Sequence, residues 1–367
     1  MDASLAAEPG RVAGAAGARS GSWVAPLPLL GLALAAVGFL SLSIGAVPVG
    51  FGQVAGVLLE RAGLNSPWAF EATEQLVVLQ IRLPRLILGA LAGGGLAVSG
   101  ALMQGLFRNP LADPGLVGVS SGAALAALVV LVFGAPVLAG FPAWVGDSAL
   151  SVAAFLGGSL TVGIVYRIAT RSGRTSVATM LLAGIAVNAL AAAVVGLLIF
   201  SSDDQQLRDF TFWSLGSLAG TGWAGLATGG MLLMAGILAA PLLARPLNAL
   251  LLGEAEARHL GVDVERVKIT AITLATLAAG SAVALTGIIG FVGLVAPHLI
   301  RLALGPDHRV LIPGSALLGA TLLLGADIVA RTAVSPAELP IGIVTALIGA
   351  PFFLWLLLRR TEMEWVG

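Results

Sequence analysis

The feature that most constrains this chain is an uncharged run, Leu86–Phe107, with arginines at both ends. Arg82 and Arg85 precede the run, and Arg108 follows it. A helix over the run would be roughly 33 Å long, close to the apolar thickness of a bilayer. Its many glycines would be unfavourable in a water-soluble helix but are typical of membrane helices that pack closely together. The run therefore predicts a helix that crosses a membrane.

The composition extends this prediction to the whole chain. Hydrophobic residues make up 58% and charged residues 10% of the sequence, whereas soluble proteins contain about 25% charged residues. The apolar runs are continuous rather than alternating, so we predict an all-α polytopic membrane protein and exclude a β-barrel. The chain has no cysteine and no net charge. We therefore expect no thiolate metal site and no nucleic-acid partner.

The number of crossings follows from the charge-free runs and from the positive-inside rule. The runs cover residues 24–48, 86–107, 114–146, 148–166, 175–202, 210–244, 269–300, 310–326 and 339–358. Splitting the run 269–300 near Thr286–Gly290, where TGIIG interrupts the helix, gives ten crossings with both termini in the cytoplasm. Most basic residues then face the cytoplasm, as the rule requires. The exceptions, on the outer side, are Arg61, Arg82, Arg85, Arg208 and Arg331.

The rest of the chain divides into one membrane domain and two tails. We expect residues 1–23 to form a disordered cytoplasmic tail, 24–360 the ten-helix membrane domain, and 361–367 a cytoplasmic C-terminal tail. The excess length of the run 210–244 predicts a short non-spanning helix over residues 212–220 on the outer side. LAVSG at 96–100 and VALTG at 283–287 lie on helices of opposite predicted direction, which fits an inverted repeat.

The longest polar segment between spans covers residues 245–268 and is predicted to be cytoplasmic. It reads RPLNALLLGEAEARHLGVDVERVK, and Gly253 and Gly261 divide it into two short helical pieces. It is amphipathic and too short for a domain. It is either a solvated connector or a docking element that inserts into a soluble partner.

The sequence also indicates what the chain cannot do by itself. A Walker A loop needs Gly-Lys-Ser/Thr, but the only lysine, Lys268, stands between Val267 and Ile269. Ion-coupled carriers usually hold carboxylates inside the bundle, whereas acids here occur at the ends of predicted spans, as with Asp327 and Glu338. We therefore expect no enzymatic activity in this chain. Energy must come from a partner, or the protein is a passive channel.

Several long motifs resemble the permease family of type II ABC importers, which take up ferric siderophores, heme and cobalamin. They are RLPR, SGALMQGLFRNPLADPGLVGVSSGA, LNALLLGEAEARHLGV, GFVGLVAPHLIR, GADIVAR and ELPIGIVTALIGAPFFLWLL. The resemblance implies ten transmembrane helices, with an inverted repeat of helices 2–5 and 7–10. It also implies a homodimer in the bacterial inner membrane with two cytoplasmic ATPases and one periplasmic binding protein. ATP and Mg would bind the ATPases, and this chain would bind no cofactor.

The resemblance also assigns roles to individual residues. It implies that the binding protein docks on Arg82, Arg85 and Arg331, although arginines also anchor helix ends at the headgroups. It implies that Asn109 and Leu111, facing Val177 and Ala178, form the cytoplasmic gate, although Pro110 and Pro114 would require a non-helical turn there in any case. The residues that it implies for coupling to the ATPase are Leu247, Asn248, Gly253, Glu254, Ala257, Leu260 and Gly261.

The cargo is the least determined part of this prediction. FTFWSLGSLAGTGW at 210–223 and the region from RLPR onward look most like heme permeases, so we expect heme as the transported substrate. None of the three histidines (His259, His298 and His308) is a good candidate for an axial ligand in the pathway. The alternatives are a ferric-siderophore or cobalamin importer of the same family, or a carrier or channel that works without ATP.

Overall fold

The computed structural model describes residues 26–364, except positions 46, 139 and 221. The predicted N-terminal tail, residues 1–23, lies outside the described residues, and so do residues 365–367 of the predicted C-terminal tail. The last helix continues to Glu364, past residue 360, the predicted end of the membrane domain.

Helices make up most of the described chain. They are α1 (Pro26–Ser43), α2 (Phe51–Arg61), α3 (Ala72–Leu76), α4 (Leu83–Phe107), α5 (Val119–Leu138), α6 (Ala143–Ala169), α7 (Val177–Phe200), α8 (Asp204–Ser214), α9 (Trp223–Ala239), α10 (Ala244–Leu250), α11 (Glu254–His259), α12 (Val264–Thr286), α13 (Val292–Leu304), α14 (His308–Thr332) and α15 (Ile341–Glu364). A π-helical segment, Val77–Arg82, joins α3 to α4, and 3₁₀ turns cover Pro114–Val117 and Ala240–Leu243. An antiparallel hairpin pairs β1 (Thr170–Arg171) with β2 (Arg174–Thr175).

Seven helices in the described part of the chain are long and apolar enough to cross a membrane. They lie in α1, α6, α7, α12 and α14, and in α4 and α9, which extend through adjoining segments to Ala72–Phe107 and Trp223–Leu250. Shorter apolar helices cover Val119–Gly134, Val292–Leu304 and Ile341–Trp355. The all-α polytopic membrane fold is thus confirmed. The count of ten crossings stays a prediction, because it requires the shorter helices to cross as well, and so does the inverted repeat.

The connecting segments gather at two ends of the helix bundle. At the first, the end of α4 and the starts of α12 and α14 lie beside the β1–β2 hairpin and α10–α11. We call it the hairpin end, comprising residues 105–118, 170–176, 240–268 and 305–308. At the second, the ends of α1 and α14 meet the start of α4. We call it the arginine end, comprising the described residues 41–45, 47–85, 201–220, 222 and 327–341.

Helix α4 lies at the centre of the bundle, against α9, α12, α13 and α14. In the most apolar 18 residues of Ala72–Phe107, the span that contains α4, 78% of the residues are buried. The corresponding share is 17% in α1 and in α7. A Cβ at Gly93 would lie 2.4 Å from the carbonyl oxygen of Gly319, and a Cβ at Gly100 would lie 1.8 Å from that of Gly293. The glycines of the first predicted span therefore bring helix backbones into direct contact, as expected of membrane helices.

The predicted break in the run 269–300 is present. Helix α12 ends at Thr286 and α13 begins at Val292. Gly287 has a φ of 71°, and a Cβ there would lie 2.0 Å from the carbonyl oxygen of Trp213. Only glycine fits such a position, because it combines positive φ with close approach of another backbone.

The short helix predicted over residues 212–220 is displaced. The structure places it earlier, as α8, because Asp203 and Gln206 form a capping box that starts the helix there. Residues 215–220 are not helical. Instead, the N–H groups of Ile341 and Gly342 donate to the carbonyl oxygens of Gly216 and Leu215 at 3.1 and 3.0 Å. This segment therefore holds the start of α15 at the arginine end.

Candidate functional site

Two buried arginines hold the end of α1. Arg82 Nη1 donates to the carbonyl oxygens of Leu42 and Ser43 at 2.6 and 2.8 Å. Arg331 Nη2 donates at 2.7 Å to both the carbonyl oxygen and the hydroxyl of Ser41. The last carbonyls of a helix lack partners within the helix, and cations are favoured at that end. Both arginines therefore cap α1.

Arg85 binds two carboxylates at once. Its Nε and Nη2 donate to Asp327 Oδ1 at 3.0 and 2.8 Å, and its Nη1 and Nη2 donate to the two oxygens of Glu338 at 2.9 Å each. Arg331 Nε lies 3.4 Å from the other oxygen of Asp327. The Asp327 side chain is 1% exposed, whereas that of Glu338 is 41% exposed. The network thus joins α4, α14 and the loop after α14, and its Glu338 end meets solvent.

This placement changes what the outer arginines can do. Arg82 and Arg331 are 5% and 6% exposed and bound to α1, so a partner's carboxylate cannot reach them in this arrangement. Their contacts fit the alternative of an anchored helix end, except that the anchored end belongs to α1. Arg85 is the member of the three whose own partner, Glu338, is exposed. The docking role of these residues stays a prediction, and for Arg82 and Arg331 it would require these contacts to break.

Asp327 is a functional candidate that the sequence analysis missed. It was expected at the end of a span, but it is buried within α14 between Arg85 and Arg331. A buried carboxylate is the feature expected of an ion-coupled carrier. Here, however, two arginines already neutralise it. The predicted span ends at residue 326, whereas α14 continues to Thr332. The i,i+4 spacing of Asp327 and Arg331 is the signal that could have revealed the pair, had the helix been extended past the apolar run.

At the hairpin end, the chain leaves α4 in a non-helical turn, as the two prolines require. Arg108 ends α4 with a φ of 50°, and Asn109 Oδ1 accepts the N–H of Leu111 at 2.9 Å in an Asx turn. Asp113 Oδ1 then accepts the N–H of Gly115 at 2.7 Å and starts the following 3₁₀ turn. Partial burial raises the pKa of the Asp113 carboxyl, although the Gly115 N–H opposes the shift.

Residues 109–118 turn back from the hairpin end into the bundle and pack along the first half of α7. We call them the re-entrant segment for this reason alone. A Cβ at Gly184 would lie 2.0 Å from the carbonyl oxygen of Leu116. Asn188 Nδ2 donates to the carbonyl oxygen of Gly115 at 3.1 Å, and Ser121 Oγ donates to Asn188 Oδ1 at 2.5 Å. A backbone contact and an amide bridge therefore hold the re-entrant segment and α7 together as one unit.

The predicted gate residues lie in this unit. Asn109 and Leu111 are exposed on the re-entrant segment, and Ala178 is exposed at the start of α7, where Val177 is partly buried. Ser176 caps α7 by accepting the N–H of the third following residue at 3.2 Å. The structure thus brings the four residues to the hairpin end, and their gating role stays a prediction.

We call residues 245–268 the coupling segment, after their predicted role. The two short helices predicted in it are present as α10 and α11. Asn248 joins α10 to the start of α14, because its Nδ2 donates to Asp307 Oδ1 at 2.6 Å and its Oδ1 accepts the N–H of His308 at 2.9 Å. Partial burial acts to raise the pKa of Asp307, but hydrogen bonds from the Arg309 N–H and from Asn248 keep it below its ordinary value.

The residues assigned to ATPase contact differ in their access to a partner. Buried are Leu247, Gly253 and Ala257; partly buried are Asn248 and Glu254; exposed are Leu260 and Gly261. The buried residues support the segment from within and cannot touch a partner in this arrangement. The sequence analysis did not single out Leu251 and Leu252, which are 41% and 65% exposed. With Leu260, they are the exposed leucines of an otherwise polar segment.

Comparison with known proteins gives a consistent result. A profile of the FecCD transport family matches residues 33–359. The chain is 47% identical over 289 residues to the hemin transport system permease protein HmuU of Yersinia pestis, covering 78% of this chain and 84% of that protein. It is 43% identical over 345 residues to the cobalamin import system permease protein BtuC of Halobacterium salinarum, covering 91% and 90%.

A solved structure is similar over nearly the whole chain. It is an inward-facing conformation of a metal-chelate type ABC transporter, with a TM-score of 0.78 and 34% sequence identity. The similarity covers 91% of this chain and 98% of the solved chain.

Proposed function

The chain is an ABC importer permease of the FecCD transport family, and from that premise we propose that it carries heme across the bacterial inner membrane. The observation that supports heme is the 47% identity to a hemin transport permease. In this proposal, a homodimer of ten-helix chains works with two cytoplasmic ATPases and one periplasmic binding protein. Both termini and the hairpin end face the cytoplasm.

The coupling segment supports the role of a partner ATPase. Leu251, Leu252 and Leu260 are exposed beside charged residues at the hairpin end. Covering exposed apolar side chains with a partner lowers the free energy, because it removes apolar surface from water. The segment therefore has the chemistry of a surface that inserts into a groove on a soluble protein, rather than that of a solvated connector.

Replacing both Leu252 and Leu260 with glutamate is expected to abolish co-purification of the partner ATPase with the tagged chain. Both side chains are 65% exposed, so the thermal unfolding midpoint of the chain alone should not change. In the complex, however, the new carboxylates would be desolvated against apolar surface, which is unfavourable. The matched control is Leu64→Glu, at a leucine 57% exposed at the arginine end, which should retain the ATPase. Retention by the double variant would contradict this assignment.

For the binding protein, Arg85 is the docking residue that the geometry favours. A carboxylate of the binding protein can replace Glu338, which is 41% exposed and holds Arg85 at 2.9 Å. The fork of the guanidinium suits such an exchange between carboxylates. Arg82 and Arg331 then support docking from within, through α1 and Asp327.

For the pathway, we propose that Asn109, Leu111, Val177 and Ala178 close the cytoplasmic side at the dimer axis. Three of the four are exposed in the single chain, which leaves them available to a second copy. The re-entrant segment and α7 are packed as one unit, so both parts of the gate would open together.

The test of cargo is a comparison in proteoliposomes containing the chain with its cognate ATPase and binding protein. ATP-dependent uptake of heme, a ferric siderophore and cobalamin is measured side by side. We expect heme to be taken up fastest. Uptake of cobalamin without heme would reassign the cargo to that named for the BtuC relative of Halobacterium salinarum, which matches 91% of this chain. Uptake of the ferric siderophore alone would likewise overturn the proposal.

A further inference from the structure

Lys268, the only lysine in the sequence, joins three elements at the hairpin end. Its side chain is 3% exposed. Its Nζ donates to the carbonyl oxygen of Thr175 at 2.7 Å, to Glu254 Oε2 at 2.9 Å and to Glu265 Oε1 at 3.3 Å. An ammonium group has three donors, and each has a partner here. One buried charge thus links the hairpin, α11 and α12.

Glu265 adds a second link between the same elements. Its Oε2 accepts the N–H of Thr175 at 2.9 Å. Arg258, on α11, lies 3.3 Å from Glu265 Oε1 and 3.7 Å from Glu254. Both backbone groups of Thr175 are therefore held by charged side chains. Hydrogen bonds to charged groups are roughly twice as strong as neutral ones.

Thr175 leads directly into α7. It is the last residue of the hairpin, where it pairs with Thr170, and the next residue, Ser176, caps α7. The Ser176 N–H also donates to the carbonyl oxygen of Ala169 at 3.0 Å, which ties the start of α7 to the end of α6. From there, α7 is packed to the re-entrant segment through Gly184 and Asn188.

From these contacts we propose that Lys268 is a positioning residue that transmits the displacement of α11 to α7 and the re-entrant segment. The inference rests on the proposed function, in which α11 lies at the ATPase and α7 carries the gate. The sequence of contacts runs from Glu254 on α11, through Lys268, to the Thr175 carbonyl at the start of α7. A movement of α11 can bias the gate only by the contact energy that differs between two states, and this buried ionic link supplies such energy.

Lys268→Met can test this proposal only if the variant still folds. Removing one partner of an ion pair is costly mainly where the other charge stays buried and unpaired. Lys268→Met keeps the length of the side chain, and Glu254 and Glu265 remain 35% and 27% exposed beside Arg258. We therefore expect Lys268→Met to fold and assemble. It loses the contacts of Nζ with Thr175, Glu254 and Glu265, while Glu265 still accepts the N–H of Thr175.

The experiment compares wild type, Lys268→Met, Lys268→Arg and Arg266→Met in proteoliposomes with the cognate ATPase and binding protein. Arg266 is the matched control. It lies on α12, as Lys268 does, beyond the residues assigned to ATPase contact, 247–261. It is 87% exposed and pairs with Asp263 outside this cluster. The readouts are ATP hydrolysis, heme uptake and maleimide labelling of an Ala178→Cys variant with and without ATP and vanadate. The chain has no cysteine of its own, so the label reports this position alone within the chain.

For Lys268→Met we expect ATP hydrolysis to persist, while heme uptake per ATP falls about fivefold or more and the nucleotide-dependent change in labelling is lost. Lys268→Arg should recover part of both, because it keeps the charge but not the compact shape of the ammonium group. Arg266→Met should behave as wild type. If Lys268→Met does not assemble, Glu254→Gln, which removes the charge of one partner of Lys268, should show the same uncoupling.

Equal uptake per ATP and equal labelling change in Lys268→Met and Arg266→Met would overturn the inference. Absence of heme uptake in the wild-type complex would count against heme as the cargo instead. The labelling comparison would then decide the role of Lys268, because it requires the ATPase and not the cargo.

Discussion

Replacing Asp327 with alanine is expected to lower the free energy of unfolding by about 3–5 kcal/mol, because it leaves the buried Arg331 without its counter-charge. Asp327 is 1% exposed, and its oxygens lie 2.8 Å from Arg85 and 3.4 Å from Arg331. Arg331 is itself 6% exposed and caps α1. The loss should therefore also loosen the end of α1. The measurement is equilibrium unfolding of the purified chain in mixed micelles.

The matched control for Asp327→Ala is Glu338→Ala. Glu338 also binds Arg85, at 2.9 Å, but is 41% exposed. A partly exposed ion pair contributes about 1 kcal/mol or less, and Asp327 remains in place to neutralise Arg85. Equal destabilisation by the two variants would show that burial of Asp327 does not decide its contribution.

Replacing Gly319 with alanine is expected to destabilise the chain by about 3 kcal/mol, at the upper end of the usual cost of overpacking. A Cβ at residue 319 would lie 2.4 Å from the carbonyl oxygen of Gly93 and 2.5 Å from the Cβ of Ala97. Neither atom can move away by rotating a side chain. Helices α4 and α14 would have to separate where α4 forms the centre of the bundle. Unfolding in mixed micelles measures this effect as well.

Gly325→Ala, on the same helix, provides the control of opposite sign. A Cβ there meets nothing within 4 Å, and alanine is a better helix former than glycine by up to about 1 kcal/mol. We expect this variant to be as stable as wild type or slightly more stable. If Gly319→Ala is tolerated as well as Gly325→Ala, the close crossing of α4 and α14 is incorrect.

The sequence predicts the class of fold because that depends on local composition. Continuous apolar runs indicate membrane helices wherever they occur, and TGIIG marks the break between α12 and α13, where Gly287 has positive φ. The position predicted for the short helix after α7, residues 212–220, is wrong, because that prediction rests on the length of an apolar run. The capping box at Asp203 and Gln206 was the better local signal.

The site could be predicted only where a motif marks it. The coupling segment and the re-entrant segment are continuous stretches, and the structure contains both. Contacts between distant residues were not accessible from one sequence. The caps on α1 join Ser41 to Arg331 and Leu42 to Arg82, so burial of these arginines depends on how the helices pack. Lys268 likewise contacts Thr175 only when the hairpin folds against α12.

The central claim is that the chain is a conduit operated by partners on its two sides. Its most direct test is heme uptake into proteoliposomes that contain the chain with its ATPase, binding protein and ATP, the same set lacking any one of these three, or the chain alone. We predict uptake against a gradient only for the complete set, with loss of uptake when ATP, the ATPase or the binding protein is omitted. Uptake by the chain alone at the rate of the complete complex would contradict the claim.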